Sequence, residues 1–238
     1  MARRIALALH GAGSDGDFVL RCFRAGDLAV DEVVAIEHRD AETRTLLTII
    51  TRQVEAARAR GDEVTFLAGV SLGAHAVATW TARAGAHTEI SGLLLVMPAW
   101  TGSPTFVAAA TAAAASDVLS LGSAAIIERL KGESPRDWVV DAVASSWPRY
   151  GDPVLAASLL AASRSPGPTS AELASIRVPS AIVCLDDDAL HPRAVAEHWH
   201  SVIPASALES LPRDLGGRRP DVLGQAAIRA LARLSESQ

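Results

Sequence analysis

A serine between two glycines is the residue of this sequence best placed for covalent chemistry. Ser71 lies in segment 69–73, Gly-Val-Ser-Leu-Gly, directly after a predicted strand at 64–68 and directly before a predicted helix at 72–83. Small neighbours allow a tight turn that lifts the serine hydroxyl above the sheet. The helix N-terminus behind it favours developing negative charge. This arrangement predicts a nucleophile elbow.

A second segment of small residues follows the first predicted strand. It is segment 10–14, His-Gly-Ala-Gly-Ser. A backbone N–H must approach the substrate oxygen from the side opposite the nucleophile, and small side chains let the chain come that close. The predicted oxyanion donors are therefore the N–H groups of Ala12 and Leu72. His10 is expected to brace this loop rather than act as a base, and His10 and Gly11 are placed next to the substrate.

Three adjacent acidic residues follow the predicted strand at 181–185. In a hydrolase with the residue order Ser, Asp, His, the acid stands at the end of a late strand, and Asp188 has that place. The acidic run is also compatible with a solvated loop that caps a helix, or with a weak cation site. His191 lies in the same loop and is the candidate base, provided that it comes within hydrogen-bond reach of the serine. The other interpretation of His191 is a turn residue before Pro192.

The remaining histidines show no spacing that indicates a function. His75 lies one helical turn beyond the candidate nucleophile and is predicted to be buried in the core. His198 and His200 are two positions apart on a predicted helix, so they lie on different faces and make a poor metal pair. His38 ends the second predicted strand and is expected at the border of the site, and His87 is expected in a loop. The sequence has neither H-E-x-x-H nor a cysteine cluster at ligand spacing, so no metal site is predicted.

Apolar segments of strand length alternate with amphipathic segments, a pattern typical of a mostly parallel sheet with helices on both faces. The predicted strands are 5–9, 33–36, 64–68, 93–97, 181–185 and 207–211, and the predicted helices are 41–60, 72–83, 193–202 and 222–234. Alanine-rich helical sequence without a convincing strand fills 101–170. We predict a helical lid there, inserted over the carboxyl edge of the sheet; an ordinary crossover with extra helices is the alternative. Residues 1–238 are predicted to form a single α/β domain.

Composition narrows the class of protein further. The chain has 238 residues and a net charge of -5, without an acidic or basic block, so no nucleic-acid or membrane-surface partner is predicted. The two cysteines, Cys22 and Cys184, make no disulfide framework, which favours a reducing compartment. The apolar run at 5–9 is too short for a signal peptide, and no other run is long enough to span a bilayer. The expectation is a cytoplasmic protein.

The segments at 10–14, 69–73 and 188–192 resemble, in this order, those of the α/β-hydrolase superfamily over essentially the whole chain. The similarity is to small bacterial members that omit the first two strands of the fold. In that family H-G-x-G supplies the oxyanion hole, G-x-S-x-G the nucleophile and D-x-x-x-P the acid, which Asp188 matches together with Pro192. The resemblance implies a sheet of about six strands with a helical lid. It also implies hydrolysis of a small ester, thioester or amide without a cofactor.

We expect an apolar wall beside the candidate nucleophile, formed by residues at the end of the fourth predicted strand and by residues of the predicted lid. Met97 and Trp100 stand at the end of the fourth predicted strand, and Trp138 and Trp147 lie in the predicted lid. These side chains would contact a small-molecule substrate.

The sequence departs from the family at the base. The family's histidine lies in the loop after the last strand, here 212–220, and no histidine follows His200. Arg218 follows a glycine pair where a Gly-His pair would be expected, and arginine stays protonated, so it cannot act as a general base. One interpretation is a serine hydrolase whose base is His191. The other is a binding or scaffold protein of the same fold that has lost its base.

A third interpretation comes from segment 11–16, which is a literal G-x-G-x-x-G after a strand. Glu37 ends the next strand, where a dinucleotide-binding oxidoreductase has the acid that binds a ribose hydroxyl. His10 before the first glycine and Asp15 within the turn would lie badly beside a pyrophosphate. This interpretation also leaves segments 69–73 and 188–192 unexplained, so it is the least favoured.

Overall fold

Six parallel strands form the sheet in this computed structural model, which describes residues 1–24, 28–85, 89–104 and 106–236. The strands are β1 (Arg4–Leu9), β2 (Glu32–Ile36), β3 (Glu63–Val70), β4 (Gly92–Val96), β5 (Ser180–Asp186) and β6 (Ser206–Pro212). Their order is β2-β1-β3-β4-β5-β6, and each neighbouring pair is parallel. The predicted six-stranded parallel sheet is confirmed. His87, expected in a loop, lies outside the described residues.

Helices cover both faces of the sheet. In the described ranges they are α1 (Gly16–Phe23), α2 (Thr43–Ala59), α3 (Leu72–Ala84), α4 (Phe106–Leu121), α5 (Ser123–Glu133), α6 (Trp138–Ser146), α7 (Asp152–Arg164), α8 (Ser170–Ser175), α9 (Arg193–Val202), α10 (Arg213–Arg218) and α11 (Pro220–Glu236), with a single 3-10 turn at Trp147–Arg149. The four predicted helices correspond to α2, α3, α9 and α11.

Three of these helices, α1, α8 and α10, were not predicted. Helix α1 begins after Asp15, whose carboxylate accepts the Phe18 N–H at 3.0 Å and so caps the helix. The glycines around Asp15 indicate a turn, which hides this helix in the sequence. Segment 212–220 was expected to be a loop, but it contains α10, because its buried glycine pair packs against the rest of the protein.

The apolar strands are buried on both faces, as their near-continuous hydrophobicity requires. Along β1, Ile5, Leu7 and Leu9 pack into the core on one face, whereas Ala6 and Ala8 pack into the core on the other. Helices α2, α3, α8 and α9 pack together on the first face, and α1 and α11 pack on the second. The loops that form the candidate site follow the carboxyl ends of β1, β3, β4 and β5.

The segment predicted to be a lid, 101–170 (the lid segment), follows β4 and contains α4 to α7 without a strand in its described part. It has a small apolar core of its own, to which Val118, Ile126, Trp147 and Leu155 contribute. In the described ranges no single helix combines the length and apolar composition needed to cross a membrane. Helices α4 and α5 pass that test only as a pair bent by 115°.

Candidate active site

The turn between β3 and α3 holds Ser71 in a strained backbone conformation. Its φ of 55° and ψ of -118° lie in a region that non-glycine residues rarely adopt. A Cβ atom on Gly69 would lie 2.3 Å from the backbone of Gly73, and one on Gly73 would lie 2.3 Å from the carbonyl oxygen of Leu9. Both glycines are therefore required by close backbone approach. The predicted elbow geometry is present.

Three side chains named from the sequence form one hydrogen-bonded line. His191 Nε2 lies 3.0 Å from Ser71 Oγ, and His191 Nδ1 lies 3.1 Å from Asp188 Oδ2. Asp188 Oδ1 also accepts the N–H of Leu190 at 2.9 Å. An ionised carboxylate only accepts hydrogen bonds, so it selects the tautomer of His191 with the proton on Nδ1. The Nε2 lone pair is then free to accept the hydroxyl proton of Ser71.

The electrostatic surroundings keep Asp188 ionised. Burial acts to raise the pKa of this carboxyl, but hydrogen bonds from His191 and Leu190 together with the positive charge of Arg213 outweigh it, and the pKa lies below its usual range. Arg213 itself is held by both carboxylate oxygens of Asp137, each 3.0 Å from Nη2. The candidate acid therefore keeps its negative charge beside His191 at neutral pH.

The two residues predicted to supply the oxyanion donors, Ala12 and Leu72, line the same cavity as Ser71. Leu72 is the first residue of α3, so its N–H has no partner within the helix. A Cβ atom on Gly11 would lie 3.1 Å from Ser71 Cβ, so the backbone of this loop runs directly beside the serine. Within the described residues, neither the Ala12 nor the Leu72 N–H donates a hydrogen bond to the protein. Neither N–H group is therefore engaged by another described part of the protein.

His10 does not line the cavity but lies behind segment 10–14, which is called the oxyanion loop below. It is fully buried, its Nδ1 donates to the carbonyl of Gly11 at 2.8 Å, and its ring stacks on that of His38 at 3.9 Å. Burial lowers the pKa of His10, which keeps the ring neutral. This position fits the predicted bracing of the loop but not the predicted contact with substrate. His38, expected at the border of the site, is the second half of the same support.

A cavity of about 290 Å³ lies over the candidate nucleophile. Met97 and Trp100 line it from the end of β4, and Trp138 and Trp147 line it from the lid segment, as predicted for the apolar wall. Of the described residues that line the cavity, His191 is the only one with an ionisable side chain. The other lining side chains carry no charge, and most of them offer apolar contact.

Arg218 occupies the position expected for a C-terminal histidine, next to a closely packed glycine pair. A Cβ atom on Gly217 would lie 2.0 Å from the indole of Trp138, and one on Gly216 would lie 2.3 Å from the Leu185 side chain. Arg218 is exposed and donates to the carbonyl of Arg136. The glycine pair is thus needed for close packing of α10, and Arg218 is engaged with the carbonyl of Arg136.

The other histidines and acids lie outside this hydrogen-bonded line. His75 is buried, as predicted, and its Nε2 accepts the Ala99 N–H at 3.0 Å. Burial, together with the charge of His191, lowers the pKa of His75 to about 3. Asp186, the first of the three adjacent acids, pairs with Arg193 at 3.0 Å. The described residues contain no group of three or more His, Cys, Asp or Glu side chains that could hold a metal ion.

Two lid residues that contact the oxyanion loop carry no sequence signal. The hydroxyl of Ser146 donates to the carbonyl of Gly13 at 2.7 Å, and the hydroxyl of Tyr150 donates to the carbonyl of Ser14 at 2.6 Å. The partners are 133 and 136 positions apart in sequence. No periodicity or short motif reports a contact over that distance, so only the fold reveals it.

The sequence matches no protein-family model and no curated protein. The fold, in contrast, matches many solved structures. The esterase from Thermogutta terrifontis is 17% identical with a TM-score of 0.70, over 98% of this chain and 91% of that one. MenH from S. aureus is 16% identical with a TM-score of 0.72, over 99% of this chain and 96% of that one. The enol-lactonase from Burkholderia xenovorans LB400 is 14% identical with a TM-score of 0.74, over 98% of this chain and 92% of that one. With the parallel sheet and the strand-turn-helix elbow, these likenesses establish that the chain has the α/β-hydrolase fold.

Proposed function

We propose that this protein is a serine hydrolase that cleaves a small, uncharged ester or a related thioester or amide. The observation that carries the proposal is the line Ser71–His191–Asp188, with spacings of 3.0 and 3.1 Å, at the floor of an apolar cavity. His191, in the loop between β5 and α9, would act as the base in place of a C-terminal histidine. This placement favours an enzyme over a scaffold protein that has lost its base.

The geometry supports a two-step acyl transfer. The Ser71 oxygen attacks the substrate carbonyl carbon while its proton passes to His191 Nε2. The carbonyl oxygen becomes an oxyanion that accepts the N–H groups of Ala12 and Leu72. The intermediate collapses as the bond to the leaving group breaks, and His191 returns the proton to that group. Water, deprotonated by the same nitrogen, then releases the acid and restores Ser71, while Asp188 holds the imidazole in the required tautomer.

The cavity restricts the acyl group by charge and by size. Its volume of about 290 Å³ has room for on the order of ten non-hydrogen atoms, at about 30 Å³ for each water-sized group. A carboxylate or ammonium on the acyl chain would lose its hydration without gaining a charged partner there. The esterase and the enol-lactonase among the fold neighbours are named for ester and lactone chemistry, which agrees with this class. A cytoplasmic location belongs to the same proposal, supported by free, buried Cys22 and Cys184.

The arrangement gives less support to a dinucleotide site. The carboxylate of Asp15 already caps the N-terminus of α1, where a pyrophosphate would have to lie. Glu37 Oε1 accepts the N–H of Gly16 at 3.0 Å within the same turn. Both groups that would bind a dinucleotide are thus engaged with the protein.

A fluorophosphonate probe tests the proposal. The purified protein is incubated with the probe, and its intact mass is read beside that of Ser71→Ala. One adduct on the parent protein and none on the variant is the expected result, since only an activated serine near an oxyanion hole reacts. No adduct after long incubation would overturn the proposal and favour the scaffold interpretation. An adduct that persists in Ser71→Ala would assign the reactivity to another residue.

A further inference from the structure

The lid segment is fastened to the oxyanion loop as well as placed over the cavity. Residues 146–150 face residues 13–17 through both hydroxyl and ionic contacts. Besides the two hydroxyl bonds described above, Arg149 Nη1 lies 3.2 Å from Asp15 and 2.6 Å from Asp17. Asp15 is also the cap of α1, so the contacts reach the element that follows the loop.

The two hydroxyl hydrogen bonds are better shielded from water than the ion pairs of Arg149. Ser146 and Tyr150 are buried, whereas the side chains of Arg149 and Asp17 are 50% and 61% exposed. Exposed ion pairs contribute little, because water and salt screen them. Burial raises the pKa of Tyr150 to about 12, so its hydroxyl keeps the proton that it donates.

Ser14 connects this contact to the predicted oxyanion donor. Its carbonyl accepts the Tyr150 hydroxyl, and its own N–H donates to the carbonyl of Gly11 at 3.2 Å. The Gly11–Ala12 peptide is planar and trans, so its C=O and N–H point in opposite directions. Whatever holds the Gly11 carbonyl away from the cavity therefore aims the Ala12 N–H toward it.

Two supports hold that peptide plane from different sides. His10 donates to the Gly11 carbonyl from behind the loop, and Ser14 donates to it from the front. The first support belongs to the sheet. The second depends on Tyr150, and Ser146 holds the adjoining Gly13 carbonyl. The orientation of the donor is thus shared between the core and the lid segment.

We propose that Ser146 and Tyr150 are positioning residues for the oxyanion hole, so that the hole is complete only when the lid segment is closed. The inference rests on the proposed function and adds a control on it. When the lid segment opens, both hydroxyl bonds break and the Ala12 N–H loses one of its two supports. An open enzyme exposes Ser71 but stabilises the oxyanion poorly.

Tyr150→Phe is the principal test, because Tyr150 is not among the described residues that line the cavity and its ring is retained. Losing one oxyanion donor outright lowers kcat on the order of 10²- to 10³-fold, so a loosened donor is expected to cost roughly tenfold in each of Tyr150→Phe and Ser146→Ala. In Tyr150→Phe, KM for a p-nitrophenyl ester of a short fatty acid should stay within about twofold, since ground-state binding does not use the oxyanion donor. Affinity for a trifluoromethyl ketone should fall together with kcat, because its adduct carries the oxyanion.

Two variants separate positioning from simple loss of stability. Ser163→Ala is the matched control: Ser163 is a buried lid serine whose hydroxyl donates only to Leu160 in its own helix, and its removal should leave kcat unchanged. Ser146→Thr retains a hydroxyl at the same place and should recover most of the lost kcat. Equal losses in kcat for Ser163→Ala and Ser146→Ala would overturn the proposal.

Hydrogen exchange of residues 10–16 supplies a readout that does not need activity. Tyr150→Phe and Ser146→Ala should speed exchange in this stretch, and Ser163→Ala should not. Unchanged exchange overturns the proposal even if the protein proves inactive. Failure of the proposed function is seen separately, as a parent protein that does not react with the fluorophosphonate.

Discussion

Replacing His191 by alanine isolates the step on which the proposed mechanism depends. The substitution removes both hydrogen bonds of the ring, to Ser71 at 3.0 Å and to Asp188 at 3.1 Å. It also removes the only ionisable side chain among the described residues that line the cavity. No other group there is placed to accept the serine proton. The Asp188 side chain, 4% exposed, cannot reach past the missing ring to take over.

The expected loss follows from what a positioned base contributes. General-base catalysis is worth about 10²- to 10⁴-fold, and loss of the imidazolium partner for the oxyanion puts this variant at the upper end. A 10⁴-fold fall in kcat corresponds to about 5 kcal/mol of transition-state stabilisation. Ser71→Ala should fall by a similar factor, because the two residues act as one unit.

Added imidazole makes the prediction specific. The vacated space opens into the cavity, so free imidazole can occupy it and take the proton from Ser71. We expect His191→Ala to regain roughly tenfold or more in turnover of a p-nitrophenyl ester, with rescue increasing as the added base loses its proton. Ser71→Ala should not respond to imidazole. His198→Ala, which removes an exposed histidine from α9, should keep the parent rate. The reasoning is refuted if His191→Ala stays within tenfold of the parent, or if imidazole accelerates Ser71→Ala equally.

Three further outcomes follow from the same structure. Asp188→Asn should lower kcat by roughly 10³-fold or more with unchanged circular dichroism, because the amide no longer selects the required tautomer; a loss under tenfold would contradict this role. Gly217→His should not restore turnover to His191→Ala and should cost about 3 kcal/mol of stability in calorimetry, since even its Cβ would lie 2.0 Å from an indole ring; restored turnover would show that position 217 can hold a side chain. Burial lowers the pKa of His38 to about 4 and that of His75 to about 3, from 6.5. The unfolded chain then binds more protons below pH 6.5, so stability should fall with falling pH, by about 4 kcal/mol between pH 8 and pH 5 in urea titrations; a flat profile would contradict neutral buried histidines.

The parts of the fold that depend on local sequence were predictable. The four inner strands are short, mostly apolar runs that are buried on both faces, and the apolar run itself is the signal for such a strand. The elbow was partly predictable for a similar reason, because Gly69 and Gly73 approach each other within a single turn. The contact of Gly73 with Leu9, in contrast, depends on the fold.

The parts that depend on distant contacts were not predictable in the same way. The i,i+3 spacing of Asp188 and His191 allows a hydrogen bond, but only the placement of β3 and β5 on either side of β4 brings Ser71 to the other ring nitrogen. Helix α10 contains a glycine pair, which disfavours a helix locally. Its formation depends on close packing of Gly217 against Trp138, far away in the sequence. In α10, tertiary contacts thus override the low helix propensity of the two glycines.

The candidate acid and base share one short loop between β5 and α9, and this has a mechanical consequence. When the loop fluctuates, Asp188 and His191 move as one body, so their mutual bond survives and only the distance to Ser71 changes. Only one distance, from His191 to Ser71, must therefore be kept for reaction. If the acid and the base followed separate strands, the distance between them would also have to be kept. No described residue after α9 touches the serine or the histidine ring through a hydrogen bond. The exposed surfaces of β6, α10 and α11 can therefore vary without altering the chemistry, apart from Arg213, whose charge helps keep Asp188 ionised, and the packed pair Gly216 and Gly217.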